Sequence, residues 1–277
     1  MSRPSRAVSI LACTSLLALL VAAAGCDSDK NGNGDDDTGG NGDGGTSFAD
    51  GGDGDGGGPP VDGDGGVLCG QLPVTIRDFS DTHPDFEEPD SHSDVSTQGI
   101  VAVDLGSDGK PVYLPTAPVA PNQFSTKANF DQWYRDVPGI NMPFPYSITL
   151  SDNGNGIFGF ASNAFFPIDN MGFGNMGRPH NFHFTTEVHT TFQYKGGETF
   201  KFTGDDDLWL FINKKLAIDL GGLHQPQQQV LNLDAQAGTL GLVIGNTYDM
   251  DIFHAERHST ASNFRIETTI DCLIVPQ

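Results

Sequence analysis

Basic residues are scarce in this chain: 14 Lys and Arg stand against 36 Asp and Glu across 277 residues, a formal net charge of −22. Phosphate backbones and anionic headgroups repel such a surface, which excludes nucleic acid and anionic lipid as partners. Long helical periodicity is missing, and no phosphate-binding glycine motif follows a strand and opens a helix. Acidic residues that might pair for catalysis, Asp219, Glu187, Glu198 and Glu256, lie in no recognisable arrangement. The expectation is therefore a protein that is not an enzyme. Cysteine is limited to four residues, and the one long uncharged run is Ala7–Ala24.

That run, behind Arg3 and Arg6, reads as a secretion signal over residues 1–25. It closes on "AAAGC", small residues before Cys26, and so resembles the lipobox of bacterial lipoproteins, in which the Cys is lipidated and becomes the new N-terminus. An uncleaved membrane anchor is the alternative. Residues 26–66 hold this Cys and a stretch of Gly, Asp and Asn containing eleven Asp and one Lys. With almost nothing apolar to bury, the stretch cannot offset its ordering entropy and reads as a disordered tether. As a flexible coil it spans about 35 Å.

Residues 67–277 carry the remaining charge and suffice for one large domain. With Cys13 in the signal and Cys26 at the lipid site, Cys69 and Cys272 remain, one near each end of the domain. Outside the cytoplasm such a pair is most simply a disulfide.

Short runs of strand character fill the domain: "GIVAVDL", "YSITLS", "GIFGFA", "FHFTTEVHTTFQY", "ETFKFTG", "LWLFIN", "KLAIDL", "TLGLVI", "YDMDIFHA" and "NFRIETTI". Alternation sends Phe200 and Phe202 to one face. It likewise separates Tyr248, Met250, Ile252 and His254 from Asp249, Asp251 and Phe253. Many short strands between Gly, Pro and Asn turns predict an all-β, antiparallel β-sandwich with loop insertions. One or two helical turns are expected at Asn129–Arg135, peripheral to the core.

Four blocks, "VTIRDFSDTHPDFE", "NFHFTTEVHTTFQY", "FTGDDDLWLFINKKLAIDLGGLH" and "YDMDIFHAERHSTASNFRIETTI", resemble the fibro-slime domain family from Leu72 onward. That family in turn looks related to the protective-antigen type of β-sandwich, in which an Asp-Asp pair precedes an apolar strand, a tight turn and a returning strand. In sugar-binding adhesins of that type the two Asp hold a calcium ion that also receives sugar hydroxyls. The resemblance maps those ligands to Asp205 and Asp206, and adds Asp207 and His224 to the ligand-binding surface. Calcium suits the residue types, since it takes six to eight hard oxygens and cancels the repulsion of clustered carboxylates. A solvated turn with no ion is the alternative.

At the turn, Asn213 is followed by Lys214 where a type I′ hairpin prefers Asn-Gly, so a longer loop taking in Lys215 is expected. His254, Glu256 and His258 in "HAERH" read as hydrogen-bonding residues rather than a metal site, with an ion pair to Arg257. His180 and His183, among aromatic neighbours, read as packed. Trp133, Tyr134, Phe165, Phe166 and Phe173 can stack on sugars where exposed, although most are expected in the core.

Together these features predict a lipid-anchored cell-surface adhesion or extracellular-matrix protein, tethered to the membrane. It is expected to bind a polysaccharide or cell-surface glycan through a calcium-assisted loop. A structural slime or coat protein that associates with itself is the other reading.

Overall fold

A computed structural model of the chain describes residues 69–87, 96–114 and 124–274. The signal segment, Cys26 and the tether lie outside the described residues.

The expected antiparallel sandwich is present. Among the described residues eleven strands form two sheets: β1 (Gln71–Phe79), β2 (Asn141–Thr149), β3 (Ser151–Asp152), β4 (Phe158–Ser162), β5 (Phe184–Gln193), β6 (Thr199–Gly204), β7 (Asp207–Ile212), β8 (Lys215–Leu220), β9 (Gln227–Asn232), β10 (Thr247–Glu256) and β11 (Phe264–Thr268). One sheet runs in the order β2-β1-β5-β10-β7-β8, the other β3-β4-β11-β6-β9. Every pairing of named strands is antiparallel.

Alternation along the strands fills the space between the sheets. Phe200 and Phe202 from one side meet Leu208, Leu210, Ile212, Met250 and Ile252 from the other, all essentially buried. β7 is apolar on both faces, which requires a cover on its outer side as well. The chain between β1 and β2 supplies it: Phe86, Ile100, Phe130, Trp133 and Tyr134 pack on Phe79, Trp209, Phe211 and Phe253 as a second apolar layer. The short helix α1 (Lys127–Phe130) lies on the outside of this layer, as expected of a peripheral turn, and contributes only Phe130 to it; Trp133 and Tyr134 just after it are buried. Trp133 and Tyr134 are core residues in that layer and Phe165 is core between the sheets; none of the three is available to stack on a sugar. Phe166 instead stacks on His180, ring centroids 3.9 Å apart.

Cys69 and Cys272 are joined as a disulfide, with Cα atoms 4.8 Å apart. The bridge ties the start of β1 to the residues after β11, and the Gly70 amide donates to the Leu273 carbonyl at 3.1 Å.

Three local expectations are corrected. "TLGLVI" is not a strand: Leu233–Leu240 form helix α2, because the Asn232 side chain caps its first turn by accepting from the Ala235 amide and Gly241 closes it at φ +71°. "GIVAVDL" makes only isolated bridges, Val101 to Tyr113 and, at the edge of β8, Asp104 to Lys215. Asn213 and Lys214 form a two-residue hairpin with φ of +52° and +63°, and Lys215 already pairs with Ile212. The Asn213 side chain offsets part of the strain by donating to the Leu240 carbonyl at 2.8 Å.

Candidate functional site

β6 lies in one sheet and β7 in the other, and only Asp205 and Asp206 connect them. This two-residue crossing puts both carboxylates at one end of the sandwich. Gly204 is needed before it, because a Cβ there would stand 2.6 Å from the Asn263 carbonyl oxygen. Asp206 takes φ +52°, a conformation Asp tolerates better than most residues. Another crossing between the sheets, from β10 to β11, passes alongside, and residues 224–226 close the end.

The result is a cleft of about 20 Å³ lined by Asp205, Asp206, His224, Glu256, His258 and Thr260, among others. A space of this size holds one water-sized body and excludes a sugar ring. Asp205 accepts from the Asn263 amide at 2.6 Å and its side-chain Nδ2 at 2.7 Å. Asp206 accepts from the amides of Arg257 and His258 at 2.8 and 3.1 Å. His224 is buried, with its ring nitrogens facing the carbonyls of Leu220 and Gln225.

Glu256 is the residue that sequence reading set aside. It is 1 % exposed, lines the cleft, and its Oε2 is buried without a hydrogen-bond partner. Burial, and then the charges of Asp206 and Asp205, push its carboxyl well above the usual range. Asp206 is raised to about 8, mainly by burial and against the opposing pull of Arg257. The charges of Asp206 and Asp205 disfavour ionisation of Glu256 in this low-dielectric cleft, and a bound cation would offset that cost. The i, i+2 spacing of "HAERH" carried the signal: it puts Glu256 on the inward side at the strand end. His254, two residues earlier, is instead packed in the core between the sheets. Burial holds its pKa down to about 3, so it is a neutral core histidine. Arg257 pairs with Asp207, not Glu256.

Asp207 does not reach the cleft. Its carboxylate is fully buried, accepting from Arg257 Nε at 2.5 Å and the Gly222 amide at 2.6 Å. A buried carboxylate held by a guanidinium is an anchor for the loop, which corrects its assignment to the ligand surface. The Arg257 guanidinium lies 4.6 Å from the Phe124 ring centre and 4.9 Å from that of Trp133, tying the Asp loop to the outer apolar layer. His183 and His180 sit elsewhere, paired with Glu87 and Asp169.

The donor set is hard oxygen, as calcium prefers. Among the described residues no three His, Cys, Asp or Glu side chains form a ready-made metal cluster. Calcium tolerates this better than zinc does, because backbone carbonyls and water complete its shell.

A PA14 domain is found over residues 168–272. Among curated proteins the chain is similar to protein psiD of Dictyostelium discoideum, 41% identical over 212 residues that cover 72% of this chain and 41% of psiD. Protein psiQ of the same organism is 41% identical over 189 residues, covering 63% of this chain and 18% of psiQ. The chain thus spans less than half the length of these relatives. Among solved structures, a PA14 sugar-binding domain from an RTX adhesin aligns with TM-score 0.31 and 8% identity, over 72% of this chain and 89% of that one.

Proposed function

We propose that this protein is an exported, lipid-anchored adhesion or matrix module of the fibro-slime type that binds carbohydrate with the help of a calcium ion at the Asp205–Asp206 crossing. The buried, unpartnered Glu256 oxygen beside these two carboxylates carries the reading. Asp205 and Asp206 would hold the ion, backbone carbonyls and water would complete its shell, and Glu256 lines the same cleft. The Arg257–Asp207 pair fixes the loop from below, and the amides of Asn263, Arg257 and His258 orient the two Asp. A bound ion would supply a positive charge for sugar hydroxyls, and because the cleft is too small for a sugar ring, the ring would rest outside it. The PA14 match over this part of the chain agrees with that role. Cys26 and the acidic tether would keep the domain at the cell envelope while letting it reach outward.

Thermal unfolding in calcium and in chelator tests the reading together with a glycan array. Calcium at a hundred times its dissociation constant is expected to stabilise by about 2.7 kcal/mol. Asp205→Asn/Asp206→Asn is expected to lose both the calcium response and glycan binding, and Glu256→Gln to weaken both. A double variant that binds glycans as the parent does, in calcium or in chelator, refutes the mechanism and favours a self-associating coat protein.

A further inference from the structure

An open cavity of about 340 Å³ lies on another part of the domain and shares no lining residue with the acidic cleft. Its walls come from the start of the β1–β2 connection, the turns after α1, and Phe173. The volume falls at the low end for small-molecule sites. In a domain this acidic, its lining contains no Asp, Glu, Lys or Arg. A charged ligand would find no counter-charge there and would lose its hydration without return.

The polar groups are oriented. His83 Nδ1 accepts from the Asp85 amide at 3.2 Å, so the neutral ring carries its proton on Nε2 and donates to Gln132 Oε1 at 3.1 Å. Burial, the largest influence on His83, lowers its pKa and favours this neutral form. Among the described residues none accepts from the Gln132 amide nitrogen, which leaves it as a donor. Asn129 Nδ2 donates to Ser125 Oγ at 2.5 Å, leaving its carbonyl oxygen as an acceptor. One free donor and one free acceptor line the same cavity, beside the half-buried Phe173 ring and Ile140, 36% exposed.

The walls are held in place. Asn141 accepts from the Val137 amide and donates to the carbonyls of Gln132 and Arg135, at 2.8–3.0 Å. The Phe173 amide donates to the buried Asp78 carboxylate at 2.5 Å. A pre-formed site of neutral donor, neutral acceptor and apolar wall fits a ligand with hydroxyls on its edge and C–H groups on its face. We infer that this cavity is a second carbohydrate site, for one neutral pyranose ring, held by Gln132, Asn129 and Phe173 without any metal ion.

The test uses the full chain in EDTA, titrated separately with glucose, galactose, mannose and N-acetylglucosamine, and followed by saturation-transfer NMR and calorimetry. At least one sugar is expected to bind in EDTA. Gln132→Ala and Phe173→Ala are each expected to weaken that binding about tenfold, the equivalent of one good hydrogen bond or ring contact. Their melting temperatures, measured alongside, show that the variants fold. If all sugar binding disappears in EDTA, the ion-assisted cleft stands alone and the second site is overturned. Binding in EDTA that neither folded variant alters also overturns it. Binding in EDTA that both variants weaken supports it even where calcium changes nothing.

Discussion

Replacing Arg257 by Met isolates the anchor beneath the acidic crossing. Arg257 and Asp207 both have 0% side-chain exposure and meet at 2.5 Å. Met keeps most of the apolar stem, so packing changes little. What disappears is the charge, and Asp207 is left buried with only the Gly222 amide for a partner. Breaking one side of a buried pair costs about 3–5 kcal/mol, because an uncompensated carboxylate remains. The guanidinium contacts with Phe124 and Trp133 add about 2 kcal/mol where desolvated. A total near 5 kcal/mol is a large part of the stability of an ordinary domain, about 5–15 kcal/mol. Adding Asp207→Asn removes the stranded charge and keeps an acceptor for Gly222, so the double variant is expected to recover about 3 kcal/mol. Urea unfolding of the oxidised protein, with linear extrapolation, measures both. A single variant within 1 kcal/mol of the parent, or a double variant no more stable than the single, refutes the assignment of this pair as the anchor of the loop.

Other outcomes follow from the same structure. Reduction of Cys69–Cys272, which closes 203 residues, is expected to cost up to about 5 kcal/mol on the chain-entropy account, read as a fall in melting temperature; unchanged melting after verified reduction contradicts it. His189 is held near pKa 9: burial opposes its charge, but hydrogen bonds to Asp251 and Glu187 outweigh that effect. Its contribution is therefore present in full below about pH 6.5 and lost as pH rises through 9. The side chain is 41% exposed, so solvent reduces the effect. His189→Gln is expected to flatten the stability profile across that window, and identical profiles would count against the pairing. Cys26→Ser is expected to give an unprocessed or soluble product in fractionation and mass spectrometry, because the anchor is lost; full membrane retention at unchanged mass points to an uncleaved helix.

Much of the sandwich is legible in the sequence. Period-two alternation in "ETFKFTG" and "YDMDIFHA" sets which side chains face the other sheet, because successive strand residues must point to opposite faces. The pairing of Cys69 with Cys272 agrees with the count of cysteines once Cys13 and Cys26 are assigned to the N-terminal segment. Turns and caps are less transparent. Lys214 accepts a left-handed conformation because the Asn213 side chain reaches Leu240, a contact that exists only once α2 has folded beside the hairpin. "TLGLVI" has strand composition, yet its first two residues end α2, Gly241 caps that helix and Leu242–Ile244 form a loop. The three adjacent acids show how the site divides between the two levels. Their sequence sets a cluster of charge at the mouth of an apolar strand, and nothing local tells Asp207 from its neighbours. Tertiary structure separates them: strand alternation turns Asp207 toward Arg257, fifty residues away, while the sheet crossing turns Asp205 and Asp206 toward Glu256. That meeting of carboxylates depends on two crossings, β6 to β7 and β10 to β11, lying side by side at the same end of the sandwich. Strand order decides it, and strand order is fixed by long-range packing that no local pattern encodes.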